Sequence, residues 1–200
     1  MGVIHAAESF TSFQGTGHLL GTRMHFVRFA GCSVAQCPIR EQCDEPDALT
    51  RRGSFRRTAE DLVSEAVEAV GERGWLHITG GEPTDQPEGL QELVRLARER
   101  GLYVHVQSSG IRRVPVQWDW LTVSPKAVEP LQTFGQELVV IDDGTVTVER
   151  LWHLAESTKF WCYYLCPVWG RDMAETATLA HDAGGPWALT LQAHKVGGFR

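Results

Sequence analysis

The sequence predicts an α/β fold in which a mainly parallel sheet curves into a partial, TIM-like barrel of the (β/α)6 type. Short apolar segments that suit buried strands alternate with segments whose apolar residues recur at helical spacing. This alternation is typical of βαβ units and a parallel sheet. The length of 200 residues suits one domain, and no repeat or low-complexity segment divides it, so we predict a single domain over residues 1–200.

Six or seven segments have the length and apolar content of strands. The first, Met24–Phe29, ends just before a group of cysteines, and the second, Trp75–Thr79, ends just before two glycines. The others are Leu102–Gln107, Trp120–Val123, Glu137–Ile141, Phe160–Leu165 and Trp187–Gln192. This number falls short of a closed eight-stranded barrel, and in such folds the functional site lies at the carboxyl ends of the strands. We therefore expect the stretches that begin at Cys32 and Gly80 to face one cavity mouth.

Four helices are predicted between these strands. Thr58 suits the N-cap of the first helix, with Asp61 three residues later. The apolar residues of its inner face are Leu62, Val63, Ala66, Val67 and Val70. The second helix, Pro87–Arg100, ends at Gly101, a residue type that commonly terminates helices, and its inward residues are Leu90, Leu93, Val94 and Ala97. The last two predicted helices are Val148–Glu156 and Arg171–Ala183.

Composition and charge exclude several classes of protein. The net charge is −6 and the basic residues form no long run, which disfavours non-specific nucleic-acid binding. The locally basic segment Arg51–Arg57 is predicted to be a solvated loop. No apolar run approaches the roughly 20 residues of a membrane span, and the first residues lack the pattern of a signal peptide. We therefore expect a cytoplasmic protein, in which thiols stay reduced.

Three of the five cysteines are spaced as Cys32-x4-Cys37-x5-Cys43, directly after the first predicted strand. A reducing compartment disfavours a disulfide and leaves metal or redox chemistry as the better interpretation. Three thiolates can hold a cubane iron–sulfur cluster with one iron open to a substrate. Simple unligated cysteines are one alternative, and a zinc site is the other, with a fourth ligand from His25, His77 or Cys166. Outside the triplet, the predicted free cysteines of a buried strand are Cys162 and Cys166.

The other unusual stretch is Thr79-Gly80-Gly81-Glu82-Pro83, at the end of the second predicted strand. Its two glycines let the backbone come close to a ligand. Glu82 supplies a carboxylate that suits an ammonium group. A tight strand-to-helix turn without a ligand is the alternative interpretation.

A cysteine triplet after the first strand, followed by Gly-Gly-Glu-Pro after the next, resembles the radical S-adenosylmethionine superfamily. The resemblance implies that Cys32, Cys37 and Cys43 hold a 4Fe–4S cluster whose open iron binds the methionine amine and carboxylate of S-adenosylmethionine. It also implies that the turn Gly80–Glu82 binds the methionine amine. The usual spacing in the superfamily is Cys-x3-Cys-x2-Cys, and the gaps in this triplet are longer.

Four further stretches are similar to the 7-carboxy-7-deazaguanine synthase family within that superfamily. They are ESFTSFQGTG at 8–17, FVRFAGC at 26–32, TVSPK at 122–126 and LQAHKVGGFR at 191–200. The resemblance implies a lyase that converts 6-carboxy-5,6,7,8-tetrahydropterin into 7-carboxy-7-deazaguanine with loss of ammonia. S-adenosylmethionine would act as a regenerated cofactor assisted by Mg²⁺, and the product would enter preQ0 and queuosine-type biosynthesis. A homodimer and an electron donor such as flavodoxin or ferredoxin are expected, without a nucleic-acid or membrane partner.

The same resemblance assigns roles to single residues. It places Ser124 and Lys126 near the cofactor. It implies that the residues holding the pterin or its carboxylate are Gln14, Thr16, Arg28, Thr79, His194 and Arg200, the last through the terminal carboxylate of the chain. The chemistry agrees, because the guanidinium fork of Arg28 can bind a carboxylate bidentately. Gln14 and His194 offer donors and acceptors that suit the polar edge of a pterin.

Three positions depart from the pattern of the family. Thr16 replaces the acid of Gln-Gly-Glu-Gly, which removes an expected acceptor for the pterin. Asp44-Glu45 follows the last cysteine where members have Asp-Thr or Asp-Ser, whose hydroxyl is tied to Mg²⁺. A carboxylate is a good ligand for a hard cation, so two outcomes are open: Glu45 binds Mg²⁺ in place of the hydroxyl, or the metal is lost. Gln107 replaces a glutamate that precedes a threonine, so the contacts to the cofactor ribose are expected to differ.

Two other functions fit part of the sequence. A radical enzyme that activates a glycyl-radical partner protein would share the cysteine triplet and Gly-Gly-Glu-Pro, but it does not account for Gln14, Arg28 and the C-terminal stretch. A zinc-stabilised binding module without enzymatic activity would account for the triplet alone.

Overall fold

A computed structural model of the chain describes residues 3–126 and 129–199, and in this part nine strands form one sheet. The strands are β1 (Val3–Phe13), β2 (Arg23–Phe29), β3 (Phe55–Thr58), β4 (Trp75–Gly80), β5 (Tyr103–Ser108), β6 (Trp120–Val123), β7 (Phe134–Asp142), β8 (Lys159–Pro167) and β9 (Trp187–Leu189). The helices are α1 (Ala59–Val70), α2 (Pro87–Glu99), α3 (Val148–Ser157), α4 (Met173–Ala183) and α5 (Ala193–Gly197). The order of strands across the sheet is β3-β1-β2-β4-β5-β6-β7-β8-β9.

Seven strands, β2 and β4 to β9, run parallel to one another in the sheet. These are the seven strands that the sequence predicts, and the mixed α/β architecture confirms the predicted fold class. Because parallel strands end at the same edge, Phe29 at the end of β2 lies beside Gly80 at the end of β4. The stretches that follow these two strands therefore leave the sheet side by side.

Two antiparallel strands extend one edge of the sheet, and neither is predicted by the sequence. β1 pairs with β2 on one side and with the short strand β3 on the other. β3 overlaps the segment Arg51–Arg57, so the prediction of a solvated loop is wrong for Phe55–Arg57. Its sequence, Phe-Arg-Arg-Thr, is short and charged, as is usual for a strand at a sheet edge.

The two faces of the parallel strands differ in chemistry. One face packs against the helices, and its side chains form the apolar core together with those of α1 and α2. The other face lines a cavity. Because successive side chains of a strand point to opposite faces, each core residue is followed by a cavity residue, as in the pairs Val27 and Arg28, Ile78 and Thr79, and Val106 and Gln107.

Most predicted helix boundaries are confirmed by identifiable caps. The Thr58 side chain accepts a hydrogen bond from the Asp61 amide at the start of α1, and Gly101 follows α2 with φ of +78°. The predicted start of α4 at Arg171 is wrong, because Asp172 caps a helix that begins at Met173. The last strand ends at Leu189 rather than at Gln192, and α5, which the sequence does not predict, follows. Among the described residues, no helix is long and apolar enough to cross a membrane.

Candidate active site

A cavity of about 590 Å³ opens at the carboxyl ends of the parallel strands. Both unusual stretches contribute to its wall, as expected from the shared edge of β2 and β4. The sequence-predicted residues that line it are Gln14, Thr16, Arg28, Cys32, Cys37, Cys43, Glu45, Thr79, Gly80, Gly81, Gln107, Ser124, Lys126 and His194. One further predicted residue, Arg200, lies outside the described part of the chain.

The cysteine triplet lies on a loop that folds back onto the end of β2. The amide of Gly31 donates to the Ala48 carbonyl at 2.8 Å, and that of Cys32 donates to the Leu49 carbonyl at 3.1 Å. A 3-10 turn over Pro46–Leu49 presents these carbonyls. The loop is therefore closed at its base, and all three cysteines are partly exposed, carry free thiols and line the cavity.

The environment of the triplet suits thiolates. The ammonium of Lys126 donates to the Ser124 hydroxyl at 3.0 Å. Burial lowers the pKa of Lys126. The negative charges that raise it again are those of Cys37, Cys43, Glu82 and Cys32. The ammonium of Lys126 therefore lies near all three sulfur atoms of the triplet. Burial also raises the pKa of the Cys32 thiol, against a hydrogen bond from the backbone of Val34. Thiolates here need a positive partner, and Lys126 or a metal centre supplies it.

The described residues fit an iron–sulfur cluster better than a single zinc ion. Across residues 3–126 and 129–199, no three histidine, cysteine, aspartate or glutamate side chains converge as ligands of one metal ion. A zinc ion needs its ligands around one point. In a cluster each thiolate binds a different iron, so three cysteines spread along one cavity wall suit the larger group.

The Gly-Gly-Glu turn is bound to the base of the cysteine loop. The Gly81 amide donates to the Phe29 carbonyl, and the Glu82 amide donates to the Gly31 carbonyl, both at 2.9 Å. A Cβ atom at Gly81 would lie 2.3 Å from the Gly31 oxygen and 2.4 Å from the Ala48 oxygen. Glycine is thus required here because two backbone segments touch, a reason that the sequence does not reveal.

Glu82 is fixed by hydrogen bonds to both of its carboxylate oxygens, and its side chain is only 1% exposed. One oxygen accepts from the Thr84 amide, the Thr84 hydroxyl and the Ser108 hydroxyl at 3.1, 2.8 and 2.8 Å. The other accepts from the Ser109 amide at 2.9 Å and the Ser109 hydroxyl at 2.5 Å. Sequence reasoning missed Ser108 and Ser109. Their position directly after a predicted strand, at the same sheet edge as Glu82, is the signal that could have identified them.

Arg28 lies between two carboxylates. Its Nε donates to Glu8 at 2.7 Å, and its Nη2 pairs with Glu45 at 2.9 Å. Glu8 was not predicted, and Glu45, which the sequence suggests as a magnesium ligand, is instead the ion-pair partner of the predicted carboxylate binder. Burial raises the pKa of Glu45, Arg28 opposes this, and Glu8 and Asp44 reinforce it. The arrangement holds more negative than positive charge, so it favours an added cation.

The loop after β1 and helix α5 form the opposite wall. The Ala193 amide donates to the Gly15 carbonyl at 2.9 Å, and a Cβ atom at Gly15 would lie 2.2 Å from Nδ1 of His194. The imidazole therefore packs on a bare glycine, next to the buried side chain of Gln14. Burial, followed by the charge of Lys195, lowers the pKa of His194, which favours a neutral ring.

Helix α5 also contacts the cysteine loop. Asp44, directly after the last cysteine, accepts from Gln192 Nε2 at 2.7 Å and pairs with Lys195 Nζ at 3.1 Å. On the other side, the Gly17 amide donates to the Thr190 hydroxyl at 2.9 Å. The C-terminal segment thus connects the loop that carries the cysteines with the loop that carries Gln14 and Thr16.

Comparisons with known proteins cover almost the whole chain. The chain is 33% identical to the 7-carboxy-7-deazaguanine synthase of Synechocystis sp., over 97% of the chain and 92% of that protein. It is 34% identical to the 7-carboxy-7-deazaguanine synthase of Caulobacter vibrioides, over 96% of the chain and 97% of that protein. The crystal structure of QueE from Escherichia coli has the same fold, with a TM-score of 0.70 over 96% of this chain and 95% of that one, at 22% identity. No protein-family profile matches the chain.

Proposed function

The chain belongs to the 7-carboxy-7-deazaguanine synthase family, and on this premise we propose how its cavity converts 6-carboxy-5,6,7,8-tetrahydropterin into 7-carboxy-7-deazaguanine with loss of ammonia. Family membership makes it a radical S-adenosylmethionine lyase. One observation carries the assignment of the site. Four segments that are distant in sequence line one cavity. They are the cysteine loop, the Gly-Gly-Glu turn, the loop after β1 and helix α5.

In this proposal Cys32, Cys37 and Cys43 hold a 4Fe–4S cluster, and Ser124 and Lys126 lie beside S-adenosylmethionine with the turn Gly80–Glu82. Together the cluster and S-adenosylmethionine supply the one-electron chemistry that begins the reaction. The chain's own contribution is orientation. Because both oxygens of Glu82 are already occupied by hydroxyl and amide donors, its side chain holds the turn in place. The methionine amine is therefore proposed to meet the backbone of Gly80 and Gly81, which line the cavity, and this pre-set position reduces the cost of ordering on binding.

The pterin is proposed to bind between Arg28 and the loop after β1. Arg28 receives the substrate carboxylate, while Gln14, Thr79 and His194 face the ring. Thr16 replaces an acid with a shorter hydroxyl that still both donates and accepts. Arg200 is proposed as a further contact through its carboxylate. A carboxylate substrate must compete with Glu45 for Arg28, because the two groups present the same chemistry to the guanidinium.

Competition for Arg28 suggests how Mg²⁺ is accommodated. When the substrate carboxylate takes Arg28, Glu45 loses its ion-pair partner while Glu8 and Asp44 remain close. A hard divalent cation is the natural partner for carboxylate oxygens in that situation. We therefore assign Glu45 as the magnesium ligand of the substrate complex.

Anaerobic turnover tests both the reaction and this ligand. Reconstituted enzyme is given S-adenosylmethionine, reductant and 6-carboxytetrahydropterin, and products are followed by mass spectrometry with and without Mg²⁺. We expect 7-carboxy-7-deazaguanine, with a stimulation by Mg²⁺ that Glu45→Gln loses and Glu41→Gln, an exposed change in the same loop, keeps. Formation of 5′-deoxyadenosine without a deazapurine would show a radical enzyme with another substrate.

His194 distinguishes this reaction from the activation of a glycyl-radical protein. We expect His194→Ala to keep the cluster and to lose about ten- to hundredfold in kcat/KM, as for removal of one buried hydrogen-bonding partner. The control is His181→Ala, because His181 is exposed on α4. Iron content, cleavage of S-adenosylmethionine and pterin turnover are measured in parallel. An unchanged kcat/KM would remove His194 from the substrate site.

Several wider features belong to the same proposal. One continuous sheet runs through the described residues, which supports a single domain. The substrate is a small molecule, and an electron donor such as flavodoxin or ferredoxin would reduce the cluster. A homodimer in the cytoplasm, acting in queuosine-type deazapurine biosynthesis, completes the proposal.

A further inference from the structure

A row of rings lies one step deeper in the cavity than the proposed carboxylate site. Phe10 and Phe26 stack with centroids 5.1 Å apart, and Phe26 and His77 stack at 4.6 Å. The ring of His105 follows, 4.1 Å from that of His77. Phe26 precedes Arg28 by two residues, and His77 precedes Thr79 by two, so these side chains share the cavity-facing side of their strands. Phe10, Phe26 and His77 therefore line the inner part of the same cavity, and the fully buried ring of His105 packs beside His77.

His77 is the unusual member of this row. Its ring is 1% exposed and lines the cavity, yet neither ring nitrogen has a hydrogen-bond partner among the described residues. Gln107 is close enough to raise the pKa of His77, but its side chain makes no hydrogen bond of ordinary distance and angle with the ring. A buried polar group without a partner is costly and needs an explanation.

The ring of His77 is neutral at physiological pH. Burial, followed by the neighbouring charges of His105 and Arg28, holds the pKa of His77 well below its usual range. A neutral imidazole carries one donor and one acceptor. His77 therefore offers both kinds of hydrogen bond to whatever occupies the inner part of the cavity.

The neighbouring histidine is held in place by the protein. Nε2 of His105 lies 2.7 Å from the Thr122 hydroxyl, which donates to Glu137 at 2.5 Å. Because the hydroxyl hydrogen goes to Glu137, the hydroxyl accepts from His105, which fixes the tautomer of that ring. Glu137 also accepts from the amide of His18 at 2.8 Å. Nδ1 of His105 has no hydrogen-bond partner among the described residues either. No such chain of partners reaches His77, which lines the cavity, so a ligand in the cavity is the partner that we consider for it.

We propose that His77 is a specificity-determining residue that hydrogen-bonds the amide and amino edge of the pterin ring. The inference rests on the proposed function, since the ligand is its substrate. In 6-carboxytetrahydropterin that edge lies opposite the carboxylate. Arg28 on β2 is paired with Thr79 on the neighbouring strand β4, and His77 lies two residues before Thr79, an advance of about 6.6 Å into the cavity. A carboxylate at Arg28 and a ring edge at His77 therefore match the two ends of one bicyclic molecule.

Binding of 6-carboxypterin tests this contact without turnover, because the oxidised ring has no hydrogen at C6 to be abstracted. Calorimetry is done anaerobically on reconstituted enzyme with S-adenosylmethionine. We expect His77→Leu and His77→Val to weaken the Kd by about tenfold or more. His77→Asn and His77→Gln each supply an amide with a donor and an acceptor. The amide of each variant lies near a different one of the two former ring nitrogens, so one variant should recover part of the affinity. His181→Leu is the surface control.

Thermal unfolding provides a second measurement, because a purely structural role of His77 predicts a change in Tm of the opposite sign. Because His77 is buried without partners, His77→Leu and His77→Val should leave the Tm of the ligand-free enzyme unchanged or raise it, with cluster content and S-adenosylmethionine cleavage retained. A structural histidine would lower the Tm when replaced. Val suits a strand, so it serves if Leu disturbs folding.

The outcomes for substrate and for His77 are separable. If the wild type makes the deazapurine and the Kd of His77→Leu and His77→Val is unchanged, the role of His77 is wrong and the function stands. If the wild type binds 6-carboxypterin, loses it in these variants and yields no deazapurine, the contact stands and the proposed reaction is wrong. A wild type that neither binds nor turns over a pterin overturns both.

Discussion

Replacing Cys32 with alanine abolishes cluster assembly, and product formation with it. Each cysteine of the triplet is needed because three thiolates are the minimum set for a cluster with one open iron. Cys32 is also the member nearest the sheet, where its amide is held by the Leu49 carbonyl. The two remaining free cysteines of the chain, Cys162 and Cys166, lie on β8 and not on the cysteine loop.

The measurements are iron and sulfide content, the visible absorbance of the cluster and formation of 5′-deoxyadenosine. Cys162→Ala is the matched control, because Cys162 is a partly exposed free thiol on β8 outside the triplet. It should assemble a full cluster and keep its turnover. A Cys32→Ala protein that carried a full cluster would overturn the ligand assignment.

Replacing Arg28 with glutamine raises KM for the substrate by roughly 30- to 4,000-fold, since truncating one partner of a buried, hydrogen-bonded charge pair costs about 2–5 kcal/mol. The guanidinium is the only cationic group that pairs with both Glu8 and Glu45 among the ion pairs of the described residues. Without it, two carboxylates face the incoming substrate carboxylate. Arg28→Lys restores the charge but lacks the planar fork, so it should recover only part of the loss.

Steady-state kinetics at saturating S-adenosylmethionine give the KM, and circular dichroism reports folding. Arg23→Gln is the matched control: it changes the same residue type at the start of the same strand, where the side chain is exposed and bonds the Ala69 carbonyl. If Arg28→Gln and Arg23→Gln have equal KM values, the substrate carboxylate binds elsewhere.

The sequence predicts the parallel part of the sheet well because its central strands, β4 to β6, are largely buried on both faces. Segments such as Leu102–Gln107 carry apolar residues with strand propensity, and their burial follows from that content. β1 and β3 escape prediction for the opposite reason. β1 mixes apolar residues with small and polar ones, and β3 is charged. Neither pattern is typical of a buried strand, and each segment pairs with a neighbouring strand that supplies its hydrogen bonds.

The candidate site divides in the same way. Cys32, Gly81 and Glu82 are recognisable because their chemistry needs particular residue types at short spacing. Glu8, Ser108 and Ser109 act through contacts with residues more than 19 positions away in the chain, and no local pattern contains such information. Glu45 shows the limit of chemical analogy: its residue type suits a metal, yet its nearest charge in the structure is Arg28.

The short helix α5 contacts two loops at once. Lys195 pairs with Asp44 of the cysteine loop, and the Ala193 amide donates to the Gly15 carbonyl of the loop after β1. The free energies of the two loops are therefore linked. If docking of α5 favours both an occupied pterin site and retention of the cluster, bound substrate favours cluster retention. Thermodynamic reciprocity then requires that the cluster favour substrate binding by the same factor. An enzyme built this way protects its oxygen-sensitive metal centre best while it holds substrate.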